Sequence, residues 1–295
     1  MQLRRKGAAR CRLRGLAAVK APAPCVSVCI PTFRGAATLG VAIQSVLEQS
    51  YADFELIVVD DNSPDETATT VARFSDPRVS YHRNPINLGP EGNWNRCISL
   101  ARGTYFKLLP HDDVLHPECL ARQVAVLEAD REQRIALVFS ARDVLAPDGS
   151  KLVRRGYPSG QEGRLDAARV ASACVRRGTN LIGEPGAVLF RRSLAERVGR
   201  FDATDPYVID LDYWVRLLAH GDAWYCAQAL AGFRVSAGQW SVQIGSGQSR
   251  DFRSFVKRLT GRGLLNATPL DRALGWITPT LNTWARLAFY RVYLR

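Results

Sequence analysis

Phe54-Glu55-Leu56-Ile57-Val58-Val59-Asp60-Asp61 and Tyr105-Phe106-Lys107-Leu108-Leu109-Pro110-His111-Asp112-Asp113 are two apolar runs that each end in adjacent carboxylates. Both runs are short and rich in β-branched and aromatic residues, which reads as buried strand. Neighbouring carboxylates raise each other's pKa unless a cation or hydrogen-bond donors hold them ionised. Open α/β sheets bind ligands outside the carboxyl ends of their strands. Two such pairs therefore point to one ligand and metal site. For Asp60 and Asp61 a second reading stays open: Asn62-Ser63-Pro64-Asp65-Glu66-Thr67 has the composition of a loop entering a helix, so these acids also fit turn and cap roles.

Outward from these runs the pattern alternates. Cys25-Val26-Ser27-Val28-Cys29-Ile30, stopped by Pro31-Thr32, reads as a first strand, and Leu39, Ile43, Val46 and Leu47 recur at helical spacing up to Gln49. Residues 65–74 predict a helix, Val79 to Arg83 a third strand, and 84–92 a loop rich in Asn, Pro and Gly. A helix from Trp94 to Ala101, a strand Tyr105 to Leu109, a helix Pro117 to Ala129 and a strand Ile135 to Ser140 complete the series. Such alternation implies βαβ units and a mostly parallel central sheet with flanking helices. Ala146-Pro147-Asp148-Gly149 is a turn, and beyond about residue 150 the pattern loses regularity.

The charge is unevenly spread. Of the formal +12, residues 1–25 carry seven Lys/Arg and no acid, and residues 250–295 carry nine Lys/Arg and two acids, which leaves residues 26–249 at −2. A near-neutral core argues against a nucleic-acid-binding surface and places any anionic partner, a membrane surface included, at the two ends. Residues 1–25 read as a basic disordered tail. The seven cysteines form no CxxC pair, so they read as small core hydrophobes in a reducing, cytoplasmic compartment. The expectation is a cytoplasmic protein, soluble or peripheral at the inner face of the membrane, without a secretory signal or spanning segment.

Pro31-Thr32-Phe33, Val59-Asp60-Asp61-Asn62-Ser63, Asn87-Leu88-Gly89, Asn93-Trp94-Asn95, Gly103-Thr104-Tyr105 and His111-Asp112-Asp113 follow one another in that order. Over roughly residues 25–245 the chain thereby resembles the inverting family 2 glycosyltransferases of GT-A fold. The resemblance implies a GT-A domain over 26–249, with a nucleotide-sugar-binding half at 26–140 and an acceptor-side half at 141–249. It also implies a nucleotide-diphospho-sugar donor, of UDP type by preference, and a divalent cation, Mg or Mn. Pro31, Thr32 and Phe33 would border base and ribose, Asp61 would accept from the base, and Asn95 would face the nucleotide. Asp112 would face ribose or sugar hydroxyls and Asp113 would hold the metal.

The stretch Tyr207-Val208-Ile209-Asp210-Leu211-Asp212-Tyr213-Trp214-Val215-Arg216 resembles the family's catalytic segment. Alignment through Trp214 and Arg216 makes Asp210 the catalytic base, with Asp212 as the alternative. Either acid also fits a favourable place in the first turn of a helix. Glu184 and Trp240 are further candidates for sugar contact; Glu184 fits a buried structural acid equally well, and a loop aromatic such as Trp240 more often serves packing.

Several positions depart from the family pattern: Arg34 for Asn, Ala37 for an acid, Pro110 for the first acid of a DxDD, Ile209 for Glu, and Ser236 for a metal-binding His. No QxxRW signature occurs, so transfer of a single sugar to a glycan or lipid-linked acceptor is expected, as in surface polysaccharide biosynthesis. A sugar nucleotidyltransferase is the rival enzyme, although no Gly-rich phosphate loop is present. A non-catalytic nucleotide or glycan-binding module is the third reading. Residues 250–295 form a basic, aromatic extension that matches a membrane-interfacial segment or, equally, a packed C-terminal helix.

Overall fold

The computed structural model describes residues 23–236, 238–265 and 268–293. Nearly all of the basic tail expected over 1–25 lies outside them. The chain begins with β1 (Val26–Thr32), α1 (Leu39–Leu47), β2 (Phe54–Asp60), α2 (Thr67–Ala72), β3 (Val79–Arg83), α3 (Gly89–Leu100) and β4 (Tyr105–Leu108). It continues through β5 (Val114–Leu115), α4 (Cys119–Ala129), β6 (Ile135–Leu145), β7 (Lys151–Arg155), β8 (Gly163–Leu165) and α5 (Ala167–Arg177). It ends with β9 (Val188–Arg191), α6 (Arg192–Val198), α7 (Ile209–Leu218), β10 (Asp222–Arg234), α8 (Trp240–Ile244), α9 (Gln248–Gly261) and α10 (Pro269–Tyr293).

Ten strands join in one sheet of order β3-β2-β1-β4-β9-β6-β10-β5, with β7 on β6 and β8 on β10. The first four of the five strands read from the alternating pattern, β1 to β4, are parallel to one another. Beyond β4 the sheet is mixed, because β9 runs antiparallel to both β4 and β6 while β6 and β10 are parallel. Strand periodicity splits the side chains of β1 and β2 between two apolar layers. Val26, Val28, Ile30, Leu56 and Val58 pack on α1 and α4, and Cys29, Ile57 and Val59 face the layer that holds α3, α5, α7 and α9.

Register positions the site. Thr32 lies opposite Asp60 across β1 and β2, and Cys29 lies opposite Leu108 across β1 and β4. The Pro31-Thr32-Phe33 segment and both acid pairs therefore emerge at the same carboxyl edge.

Two boundaries shift from the sequence expectation. α3 starts at Gly89, inside the stretch read as a loop, with Pro90 in its first turn, where a missing N–H costs nothing. β6 runs five residues past Ser140, across the expected boundary between halves. Packing also continues past residue 249: Phe252, Phe255 and Leu259 of α9 share the core of Tyr213 and Trp214.

Candidate active site

The first acid pair is held by the protein's own donors. Asp60 accepts from the Ser63 amide at 2.9 Å and the Tyr81 hydroxyl at 2.6 Å. Asp61 accepts from Asn84 Nδ2 at 2.6 Å, the Leu88 amide at 2.8 Å and the Gly89 amide at 2.9 Å. Asp61 thus caps the start of α3 and fixes the 84–89 loop. It is 2% exposed, and in this structure its carboxylate accepts from the loop's own N–H groups. Asn62 takes a left-handed φ of 61° and turns the chain so that Ser63 Oγ accepts from the Arg34 amide at 2.9 Å. Pro31 and Thr32 are buried, and the Thr32 hydroxyl has no partner. Phe33 stands 38% exposed, with the Arg34 guanidinium 5.2 Å from its ring centroid. An exposed aromatic flanked by a cation offers a surface on which a planar ring can stack.

The second pair is treated differently. Asp112 Oδ2 accepts from Gln239 Nε2 at 2.9 Å, and Asp113 Oδ1 accepts from the Arg234 amide at 3.0 Å. Asp113 is 2% exposed; burial first, then the charge of Asp112, push its carboxyl well above the ordinary range, against the pull of Arg234. A buried acid in that state is stabilised as a carboxylate when a hard cation arrives, so Asp113 with Asp112 fits a divalent ion completed by water and phosphate oxygens. Among the described residues no cluster of three His, Cys, Asp or Glu side chains forms a self-sufficient metal cage. Ser236 supplies no imidazole; its amide lies 3.4 Å from Gln239 Oε1, in the turn that brings Gln239 to Asp112.

Asp113 and Glu184 line one narrow crevice, too tight in this structure to admit a water, with Arg142 and the Gly186-Ala187 turn. That turn is pinned from below by Lys107, fully buried in β4, whose Nζ donates to the Gly186 and Val188 carbonyls at 2.8 and 3.0 Å. Burial lowers the Lys107 pKa. The Arg142 guanidinium pairs with Glu184. Burial works to raise the Glu184 pKa, but the charges of Arg142 and Arg155 outweigh it and hold the carboxyl below its usual value. Gly183, at φ 118°, makes room for the pair: a Cβ there would lie 3.1 Å from the Arg142 guanidinium carbon.

Asp210 sits in the first turn of α7, half-buried. Its Oδ2 accepts from Asn180 Nδ2 at 3.0 Å, and Oδ1 accepts from the Leu211 amide at 2.7 Å. Asn180 is itself locked by the Gly183 amide and carbonyl, and Trp214 Nε1 donates to the same carbonyl at 3.1 Å. Desolvation, and next the negative charge of Glu184, raise the Asp210 pKa to about 7. A carboxylate of that basicity can take a proton near neutral pH.

Asp210 and Asp212 lie in different surroundings. Asp212 is fully buried between Arg216 at 2.7 Å and Arg258 at 2.9 Å, a structural ion-pair network. Asn95 is held by backbone groups. Its Oδ1 accepts from the Phe201 amide at 2.8 Å and its Nδ2 donates to the Phe201 carbonyl at 3.1 Å, so it ties α3 to the segment before α7. Trp240 opens α8 and packs against the main core. Arg142, Asn180, Lys107 and Gln239 were missed as site residues. Lys107 carried a signal, since it is a charge inside an otherwise apolar strand, and Arg142 a weaker one, beside Asp143 near the end of a mostly apolar strand.

Comparison with known proteins agrees with this geometry. The model for "Glycosyl transferase family 2" matches residues 27–199. The chain is 32% identical over 228 residues to an uncharacterized protein of Mycobacterium tuberculosis, covering 75% of this chain and 70% of that one. It is 32% identical over 183 residues to the succinoglycan biosynthesis protein ExoO of Rhizobium meliloti, 61% of this chain and 51% of the other. A shorter match, 34% over 102 residues, 35% of this chain and 40% of the other, is to the UDP-Glc:alpha-D-GlcNAc-diphosphoundecaprenol beta-1,3-glucosyltransferase WfgD of Escherichia coli. In three dimensions it resembles residues 1–349 of S. aureus TarS in complex with UDP-GlcNAc, at TM-score 0.66 and 16% identity over 92% of this chain and 76% of that one. It also resembles the mannosyltransferase PcManGT from Pyrobaculum calidifontis in complex with GDP-Man and Mn2+, at TM-score 0.61 and 18% identity, again 92% and 76%. The acid pairs at one sheet edge, the GT-A architecture and the family match agree, and the chain belongs to glycosyl transferase family 2.

Proposed function

We propose that the chain transfers a single sugar, with inversion, from a nucleotide-diphospho-sugar of UDP type to a hydroxyl of a glycan or lipid-linked acceptor in surface polysaccharide biosynthesis. One observation carries this reading. Asp210, its pKa raised to about 7, is held by Asn180 beside Glu184, and Glu184 shares a crevice with the acid Asp113. Pro31, Thr32 and Phe33 border the base and ribose, Asp61 shapes the loop beneath them, and Asp112 turns its free acceptor capacity to sugar or ribose hydroxyls.

In the transfer step Asp210 takes the proton of the acceptor hydroxyl as that oxygen bonds to the anomeric carbon. The bond from that carbon to the diphosphate oxygen breaks on the opposite face, and the electron pair leaves with the nucleoside diphosphate. Asp113, with Asp112, would hold Mg or Mn, which when bound offsets the charge that develops on the leaving phosphates. The named relatives support the class of substrates. The E. coli relative is named for UDP-Glc and a diphosphoundecaprenol-linked acceptor, and the Pyrobaculum enzyme binds GDP-Man with Mn2+.

The test is donor binding and slow hydrolysis across UDP-, GDP- and dTDP-sugars, with Mn, Mg or chelator, for native protein, Asp210→Asn and Asp113→Ala. The proposal expects metal-dependent binding of one donor, lost in Asp113→Ala and retained without transfer in Asp210→Asn. Full transfer by Asp210→Asn sinks the base assignment. Donor binding without turnover by the native protein favours the binding-module reading, for which Ile209 and Ser236 are the motive. Pyrophosphate release from nucleoside triphosphate and sugar phosphate favours the nucleotidyltransferase.

A further inference from the structure

α10 shows two unlike faces. Its inner face carries Asp271, Gly275, Pro279 and Thr283, all buried. Gly275 lies so close to α5 that a Cβ would stand 2.9 Å from Val175, and Pro279 N is 2.4 Å from the position a Cβ on Gly178 would take. Asn282 donates to the Gly178 carbonyl at 3.2 Å, and on the other side Arg253 of α9 donates to the Trp276 carbonyl at 2.9 Å. This helix is packed on the body along its length, as its small inner residues require.

The outer face is apolar and bare. Leu270, Ile277, Leu281, Trp284 and Val292 are 56–69% exposed. At 100° per residue they fall within an arc of about 80°. Scattered apolar side chains need no explanation, but a continuous stripe over the length of a helix does. The one acid of α10, Asp271, is buried and paired with Arg176. Cations flank the stripe on both sides: Arg176 and Arg177 end α5, and Arg250, Arg253 and Lys257 lie on α9. The Arg253 guanidinium stands 4.9 Å from the ring centroid of Trp276, itself 65% exposed on the flank of α10 beside α9. An apolar, Trp-bearing stripe between two basic rails complements a bilayer interface with anionic headgroups. A second copy of the same surface would set like charges against each other. No described helix is long and apolar enough to cross a membrane, so the helix would lie on the surface.

The far end of α10 reaches the active site. Arg286 stands 5.1 Å over the ring of Tyr207, and Tyr207 is within electrostatic reach of Tyr290, Asp210 and Glu184. We infer that the outer face of α10 seats the protein on an anionic lipid surface, which brings membrane-borne acceptors to the side of the site where Asp210 lies. The link to acceptors rests on the proposed transfer reaction; the lipid contact itself does not.

The test is flotation of the full chain with vesicles of phosphatidylcholine alone or with phosphatidylglycerol, for native protein and the triple variant Ile277→Glu, Leu281→Glu, Trp284→Glu. All three side chains are exposed, so folding is retained, checked by thermal unfolding, and the basic residues 1–22 are common to both proteins. The native chain is expected to float with anionic vesicles, and the variant to bind at least tenfold more weakly while its donor binding is unchanged. Equal flotation of the two, or no flotation of the native chain, overturns the inference. So does a native dimer in sedimentation that the variant abolishes, which would give the stripe to a second copy. If neither protein binds any sugar nucleotide yet only the native chain floats, the transfer reading falls and the lipid contact stands.

Discussion

The two Asp-Asp pairs end parallel strands at the same sheet edge, yet the protein treats them in opposite ways. Asp60 and Asp61 receive five hydrogen bonds from groups within the β2–α3 region: Ser63, Tyr81, Asn84, Leu88 and Gly89. Asp112 and Asp113 receive two from side chain and backbone, and the carboxyl of Asp113 is pushed well above its usual range. A third region repeats the contrast within one helical turn. Asp212 lies between Arg216 and Arg258, while two residues earlier Asp210 faces Glu184 and is raised to about 7. Acids matched by internal partners hold the fold. Acids left unmatched are the ones that a cation or an incoming proton would complete.

The comparison breaks most sharply at Asp210. Asp210→Asn should lower kcat by about 10²–10⁴-fold with donor affinity unchanged, as expected when a general base is removed. Stability should move the other way. The folded carboxyl titrates near 7 and the unfolded one near its ordinary value, so the native state binds the extra proton in between. Native stability contributed by this residue is present at low pH and lost as pH rises from about 4 to 7. The Asn variant escapes that loss, and by thermal unfolding it should equal or exceed the native protein at pH 8. A variant that loses stability at pH 8 would move Asp210 into the matched class.

Asp113→Asn comes next. Donor binding in Mg or Mn should weaken by about 100-fold, and chelator should do the same to the native protein but little to the variant. Titration calorimetry with the donor found in the panel reads both. Binding that ignores chelator in the native protein would mean that Arg234 and Gln239 already satisfy the second pair.

The matched class is tested by Asp212→Ala. It leaves Arg216 and Arg258, whose side chains are 11% and 15% exposed, without their shared carboxylate. Breaking such a pair from one side costs about 3 kcal/mol, read by denaturant unfolding. The folded fraction should retain donor binding and turnover. Loss of turnover with stability intact would revive Asp212 as the base.

What was legible in the chain follows the same division. β1 to β4 and their helices declare themselves because local apolar periods and turn residues suffice, and the order of short motifs is enough to mark the family. The start of α3 was hidden because Asn84 to Gly92 has loop composition, and only Asp61, folded back from β2, supplies the cap that lets the helix begin at Gly89. The partners that Asp61 and Asn95 take in this structure were hidden for a similar reason: the 84–89 loop and Phe201 are chosen by tertiary contact. Arg142 with Glu184, Asn180 with Asp210, and Gln239 with Asp112 span 42, 30 and 127 residues. No periodicity encodes pairings of that range. The stripe on α10 was visible as composition, but its exposure depended on which face α5 and α9 cover.

The smallest effect tests how Asp210 acquires its basicity. Burial is the leading cause and Glu184 the second, so Glu184→Gln should lower the Asp210 pKa only in part. Arg142, released from its partner, acts in the same direction, since a freed cation favours the carboxylate. The acidic limb of the pH–rate profile should therefore move to lower pH by about one unit or less, with a modest fall in the plateau as the base weakens. A limb that stays near 7 would mean that desolvation alone sets the base. A limb that falls to the ordinary carboxylate range would make the like charge of Glu184 the chief device of the site, and would place Glu184 with the unmatched acids.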